Sequence, residues 1–364
     1  MVEVDRVPWV TYPQEWPVVM LREAGLTIAR LGGVLARHGL GLQDAHPWNV
    51  LFDGTRPVFV DLGSITGSPE VAWVWVEEFR TSVVLPLALH GLGRHAIAEA
   101  VQGVERGWWP KRLAARRLQW FPFGYRLVKL RRGRPEAFFA ALERYLVGLG
   151  RKGAKTAWRY YYQKGELAMV DDPDQYTAKQ QSVAAALESI PAGRLLDVGA
   201  NAGWYSRLAA LLGHSVVAID LDDRVLGDLY RRSTADALPI VPLRMDLMWP
   251  TGSSGFGLEQ RAAPDRLKAD TVLVLALLHH LLEHQRVTFE AFAAVLALFA
   301  TGRAIVEFVG ADDVHLKGWW IAGEPWYTQA GFVEAMSPWF RLILILPSDP
   351  DTRTILVFER LGTG

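Results

Sequence analysis

In the second half of the chain, short apolar runs alternate with stretches whose apolar positions recur at helical spacing. "GRLLDVG" reads as a strand, "WYSRLAALLG" as a helix closed by Gly213, and "HSVVAIDLD" as a strand. "DRVLGDLYRRS" reads as a helix and "PIVPLRMDL" as a strand, and "TGSSGFGLEQRAAPDRLK" as a loop leading to a short helix. "DTVLVLALLHH" reads as a strand, "TFEAFAAVLALFA" as a helix and "RAIVEFVG" as a strand. Such alternation predicts a parallel sheet covered by helices on both faces. The tail, "WFRLILILPSDPDTRTILVFER", breaks the rhythm: two strands joined by a short Pro/Asp turn must be antiparallel neighbours. The first half is less regular. "PVVMLREAGLTIARLGGVLARHG" predicts a helix with Leu21, Ala24, Leu26, Ile28, Leu31 and Leu35 roughly on one side. "LQDAHPWNVLFDGTRPVFVDLGS" predicts loop, strand, turn and strand, and "WVEEFRTSVVLPLALHG" and "PEAFFAALERYLVGLG" predict helices. The small, basic stretch "GLGRKGAK" separates two apolar patterns, so the expected domains are residues 1–150 and 151–364.

A length of 364 residues fits two domains, and a hydrophobic share of 50% supplies sizeable cores. Formal net charge is zero, so the whole molecule gives no electrostatic argument for nucleic acid or an anionic membrane. The absence of cysteine excludes disulfides, thiolate catalysis and cysteine-ligated metal, and fits a reducing compartment. The start, "MVEVDRVPWVTYPQEW", lacks a basic segment followed by an apolar one, so no signal peptide is expected. The longest apolar stretches, near residues 273–282 and 291–300, are too short or too interrupted to span a bilayer. A soluble cytoplasmic protein with no membrane partner is expected.

The densest chemistry lies in "RLLDVGANAGWYSRLAALLGHSVVAIDLDD", residues 194–223. Asp197 ends the first predicted strand, and Gly199 and Gly203 flank Asn201 in D-x-G-x-N-x-G. Glycines let the backbone turn tightly beside a ligand, with helix N–H groups aimed into the same crevice. Asp220 ends the next strand, where an acid can accept hydrogen bonds from ribose hydroxyls. A dinucleotide needs G-x-G-x-x-G and pyrophosphate on the helix N-terminus. Here the spacing is G-x-N-x-G, and an acid two residues before the first glycine would repel pyrophosphate. That acid suits a cationic ammonium or sulfonium ligand, which favours S-adenosylmethionine.

From residue 179 to the C-terminus the chain resembles class I S-adenosylmethionine-dependent methyltransferases, on "DVGANAG", "VVAID" and the final hairpin. The resemblance implies a Rossmann-like parallel sheet with an antiparallel final strand. It implies that Asp197, Gly199, Asn201 and Gly203 line the methionine end, that Asp220 holds the ribose, that Asp246 reaches the adenine's amino group, and that Leu221 and Leu277 are further cofactor-binding residues. In this family the edge of the fourth strand, here "LALLHHLLEH", faces the transferred methyl. His279 and His280 are thus candidates for general base, beside the alternative of a structural histidine. Proximity alone can also drive methyl transfer. Glu307 in "VEFVG" is a second candidate near the acceptor, or a carboxylate capping the next turn. Adjacent histidines on an extended strand end point to opposite faces, so no metal site is expected. The Asn/Asp-Pro-Pro-aromatic motif of amino-group and adenine methyltransferases is absent, which argues against those acceptors. "GWW" at 318–320 and "EPWY" at 324–327 would wall an acceptor pocket or fill core.

"QDAHPWNVLFDGTRPVFVDLGS" has its own resemblance, to protein-kinase-like and aminoglycoside-kinase-like folds: Asp44 and Asn49 in D-x-x-x-x-N, then Asp61-Leu62-Gly63 after a strand. About forty residues precede Asp44, with no Gly-rich loop and no strand lysine. Leu42-Gln43 stand where His or His-Gly is usual. The resemblance implies a small α+β kinase-like carboxy-lobe remnant, catalytically inactive, serving as scaffold or substrate platform; a coincidental Asp/Asn turn is the alternative. Taken together, "YPQEWPVVMLREAGLTIA", the Asp44–Asp61 segment, "LDVGANAGWYS" and "ALLHHL" resemble bacterial methyltransferases related to nodulation host-specificity proteins. Residues 111–134, "KRLAARRLQWFPFGYRLVKLRRGR", hold no acid and interleave Trp120, Phe121, Phe123 and Tyr125 with arginines. Such a stripe can bind RNA or a phosphorylated molecule, or be a solvated helix face beside an aromatic plug. The expected activity is methylation of a small-molecule or biosynthetic-intermediate acceptor. Two rivals stay open, an RNA methyltransferase using residues 111–134 and a non-catalytic scaffold with the same fold.

Overall fold

The computed structural model describes residues 6–102, 123–149 and 172–362. Two units, Met1–Thr156 and Ala157–Gly364, each form their own contacts.

In the first unit, Val18–Arg37 forms α1, which buries Leu21, Ala24, Leu26, Ile28 and Leu35 along one stripe. Two short antiparallel ladders follow: β1 (Gly41–Leu42) with β4 (Ile65–Thr66), and the hairpin of β2 (Val50–Asp53) and β3 (Arg56–Phe59). The stretch expected to be one helix is α2 (Trp73–Phe79) and α3 (Leu85–Gly91) joined through a π-helical turn at Arg80–Val84. Then come α4 (His95–Val101), α5 (Phe123–Lys129) and α6 (Pro135–Gly148). Trp75 stacks on Phe79 with ring centroids 5.2 Å apart and meets Phe138 and Phe139 edge-on, forming an aromatic plug.

The second unit opens with α7 (Ala178–Glu188), whose start is fixed by a capping box between Thr177 and Gln180. The predicted alternation follows: β5 (Arg194–Val198), α8 (Trp204–Leu211), β6 (Ser215–Asp220), α9 (Asp223–Ala235), β7 (Ile240–Arg244), α10 (Ala263–Arg266), β8 (Ala269–Val274), α11 (Leu278–Gln285), α12 (Phe289–Phe299), β9 (Ala300–Val309), α13 (Gln329–Met336), β10 (Phe340–Pro347) and β11 (Arg353–Arg360). The seven-stranded sheet runs β7-β6-β5-β8-β9-β11-β10. Strands β5 to β9 pair in parallel, whereas β11 is antiparallel to both β9 and β10. β6 and β8 flank β5, so the chain reverses its direction of travel across the sheet there. In open α/β sheets, ligands bind in the crevice at this switch point. Among the described residues no helix is long and apolar enough to cross a membrane.

One predicted strand is corrected. "DTVLVLALLHH" leaves the sheet at Val274, Ala276 takes a φ of +52°, and the histidines lie on α11.

Gly203 caps α8 with a φ of +78°, and a Cβ there would lie 2.4 Å from Leu229 Cδ1 on α9. Leu229 is buried and has little room to move. Gly203→Ala should therefore destabilise the protein by about 1–3 kcal/mol, the cost of left-handed strain in a non-glycine residue. Chemical denaturation measures this, and an unchanged midpoint would contradict it.

Candidate functional site

The carboxyl edge of β5 carries the first acid. Asp197 is buried, and its Oδ2 accepts a hydrogen bond from Ser206 Oγ at 2.5 Å. Burial, helped by the charge of Asp220, lifts its pKa to about 6, against the lowering effects of Ser206 and Lys179. The turn that follows uses left-handed backbone at Gly199, Asn201 and Gly203. The N–H groups of Gly199 and Ala200 both donate to Ile219 O, at 2.9 and 3.1 Å, tying the turn to β6. A Cβ on Gly199 would sit 3.2 Å from Leu277 Cδ2, so the turn lies close to the start of α11.

Asp220 at the end of β6 stitches this corner together. Its Oδ2 accepts from the Asn201 N–H and its Oδ1 from the Asp222 N–H, each at 2.9 Å. Burial raises its pKa above the usual carboxylate value. Each oxygen keeps a further lone pair, so Asp220 can still accept from a diol. Leu221, beside it, is exposed. Beyond β7, Asp246 Oδ1 accepts from the Met248 N–H at 2.8 Å and Oδ2 from Gln285 Nε2 at 2.9 Å. The structure thus links Asp197, Asn201 and Asp220, sets Leu277 over Gly199, and ties Asp246 to the end of α11. Gly203 faces Leu229 of α9, so its smallness serves helix packing.

The histidines form a box. The His279 and His280 rings lie 4.4 Å apart, and His280 stacks on His284 at 5.7 Å. Half-buried Trp319 contacts all three, at 5.6, 5.1 and 5.2 Å. The expectation that the two neighbouring rings point to opposite faces fails because they sit on a helix, where successive residues are not opposed. Among the described residues no group of three or more His, Cys, Asp or Glu could hold a metal ion. Burial, then the neighbouring His280, pushes His279 down to about 2. Burial, then His284, pushes His280 down to about 4. Both imidazoles are therefore neutral at neutral pH and weak as proton acceptors. His279 Nδ1 is buried without a hydrogen-bond partner. Of the other predicted aromatics, Trp326 and Tyr327 pack against Phe289, and Trp326 also lies 5.9 Å from Trp320, whose Nε1 donates to Glu283 O on α11.

Glu307 is fully buried: Oε2 meets Lys179 Nζ at 2.5 Å and Oε1 accepts from Ser348 Oγ at 2.7 Å. Both oxygens are engaged, so its geometry is that of an anchor for Lys179. The Lys179 ammonium lies 5.5 Å from the centre of the Tyr205 ring, and its charge reaches Asp197 and His279. Asp313, after β9, is gripped by Arg353 at 2.7 Å, Thr352 at 2.9 Å and the His315 N–H at 2.8 Å. Burial alone would raise its pKa, but these donors bring it to about 2. Lys179, Ser206, Gln285 and the Asp313–Arg353 pair escaped sequence reasoning, whereas Trp319 belongs to the "GWW" that the sequence marks as pocket wall or core. Lys179 and Glu307 are 128 positions apart, and no local pattern connects them.

In the first unit, Asp61 Oδ1 accepts from the Gly63 N–H at 3.1 Å, capping a turn, while the Asn49 carbonyl accepts from the Val60 N–H at 2.9 Å. Of the basic stripe, residues 111–122 lie outside the described residues. In the remainder, Tyr125 is buried and donates to Val76 O at 3.0 Å, and Lys129 and Arg132 lie over the Trp73 ring.

No family model matches the chain. It is 27% identical over 388 residues to the nodulation protein NoeA of Rhizobium meliloti (strain 1021), covering 96% of this chain and 80% of that protein. Similar solved structures include the magnesium protoporphyrin IX methyltransferase ChlM of Synechocystis PCC 6803 with bound SAH. That one is 18% identical with a TM-score of 0.38, over 56% of this chain and 93% of that chain. TehB from Haemophilus influenzae is 15% identical with a TM-score of 0.37, over 56% and 67%. The bifunctional kinase-methyltransferase WbdD is 15% identical with a TM-score of 0.37, over 50% and 39%.

Proposed function

We propose that the second unit is an S-adenosylmethionine-dependent methyltransferase acting on a small-molecule acceptor. The observation that carries this reading is the pair of acids at the switch point. Asp197 is a buried carboxylate at the end of β5, joined by a left-handed turn to Asp220, whose carboxylate is fixed by that turn's Asn201 amide. A pyrophosphate would meet Asp197 at the place where a dinucleotide needs bare glycine backbone. An ammonium group finds there a carboxylate with spare lone pairs. Asp220 accepts from the ribose diol, and Asp246 faces the adenine.

When bound, S-adenosylmethionine supplies an electrophilic methyl group. The chain's residues orient and desolvate. Trp319 and the neutral rings of His279 and His280 wall the acceptor side beyond β8. With basicity depressed by burial, these histidines hold the acceptor by hydrogen bonds, and proximity carries most of the rate enhancement. The first unit is read as a scaffold built on a kinase-like remnant, on the Asp44–Asn49 spacing and Asp61-Leu62-Gly63. The cysteine-free composition fits a cytoplasmic setting.

The test is calorimetric titration with S-adenosylmethionine and S-adenosylhomocysteine, with NAD and magnesium ATP as controls. Binding of the first two alone is expected. No binding, or binding of NAD, would refute the cofactor assignment, and ATP binding would refute the inactive reading of the first unit.

A further inference from the structure

Asp246 already has a donor on each oxygen, and one of them comes from another element: Gln285, the last residue of α11. The Gln285 carboxamide is oriented by this bond, because reversing it would set its carbonyl oxygen against the carboxylate. With Nε2 fixed on Asp246, Oε1 is left buried with no hydrogen-bond partner. A buried carbonyl oxygen without a donor is costly to keep, and a ligand that brings a donor relieves it. Asp246 and Gln285 therefore present two acceptors side by side: a carboxylate with spare lone pairs and an unmet amide oxygen.

We infer that Gln285 is a specificity-determining residue for the cofactor: its Oε1 accepts one N–H of a purine 6-amino group while Asp246 accepts the other. This rests on the S-adenosylmethionine reading of the site. A 6-oxo purine turns an oxygen toward both acceptors and is rejected. A purine carrying one methyl on its 6-amino nitrogen keeps a single N–H and can satisfy Asp246 or Gln285, not both. Because Gln285 shares α11 with His279 and His280, adenine recognition fixes the helix that carries the acceptor-side box.

The experiment is titration of the full chain with S-adenosylhomocysteine, its inosine counterpart and its N6-methyl derivative. Wild-type protein should bind the inosine compound at least about 100-fold more weakly, and the N6-methyl compound at least about tenfold more weakly, the range expected where buried polar groups lose their partners. Gln285→Met should abolish most of the N6-methyl discrimination. Gln285→Lys keeps a donor for Asp246 but lacks the acceptor, and should behave like Gln285→Met. N6-methyl discrimination retained in Gln285→Lys would mean that Gln285 merely positions Asp246, overturning the inference. Equal wild-type affinity for the parent and N6-methyl compounds would overturn it without any variant. If wild-type protein fails to bind S-adenosylhomocysteine, the cofactor reading falls and this inference with it. If S-adenosylhomocysteine binds but no discrimination follows, this inference alone fails. Thermal denaturation of both variants separates loss of recognition from loss of fold.

Discussion

Asp197→Asn should weaken S-adenosylmethionine binding by about 30-fold to several thousand-fold, the equivalent of about 2–5 kcal/mol for removing one charge of a buried, hydrogen-bonded pair. The fold should survive, because the Asn carbonyl can still accept the Ser206 hydroxyl that Asp197 accepts now at 2.5 Å. The wild-type pH profile carries the same signature. Only the ionised carboxylate attracts the ligand's ammonium group, and burial holds the Asp197 pKa at about 6. Affinity should therefore be nearly constant from neutrality up to the pH at which the ligand's own ammonium group titrates, and fall toward tenfold per pH unit below about 6, and Asp197→Asn should flatten that acid limb. The stability of the ligand-free protein moves the other way. Asp197 has a folded pKa raised above its ordinary 3.8, so its contribution is fully present below that value and is lost as pH rises through about 6. Calorimetry from pH 5 to 8 measures the affinities. Wild-type affinity in Asp197→Asn would remove Asp197 from the cofactor site.

The sheet was legible because its signals are local. Alternating apolar runs and helical spacings marked β5 through β9, and the Pro/Asp turn announced the β10–β11 hairpin. The glycine turn was equally legible, since left-handed backbone at Gly199 and Gly203 calls for a residue without Cβ. What failed was local in another way. "LVLALLHH" is an apolar run that periodicity cannot assign to strand or helix, and a single positive φ at Ala276 decided it. With the histidines moved to a helix, the expectation of opposed rings went too. The charge network was beyond reach for a different reason. Asp313–Arg353 and Lys179–Glu307 join distant parts of the sequence, and only the folded sheet brings them together.

Lys179→Met carries the largest expected stability loss, about 3–5 kcal/mol, because it strands a carboxylate in the protein interior. Glu307 has no exposure, and Ser348 alone cannot replace an ammonium group. Methionine keeps the length of the aliphatic stem, so lost packing contributes little. The partner variant, Glu307→Gln, should cost less, since the Lys179 side chain keeps 14% of its surface and a route to water. The double variant pairs two neutral groups and should recover most of the Lys179→Met loss, giving a coupling well above the error of a double-mutant cycle. Urea denaturation measures all four corners, and additive losses would show that the pair is not coupled. A second readout ties this pair to the site. The Lys179 charge favours ionised Asp197, so its removal should move the pH midpoint of cofactor affinity upward from about 6. A midpoint that stays in place while stability falls would separate the Lys179–Glu307 anchor from cofactor binding and leave it a purely structural link between α7 and β9.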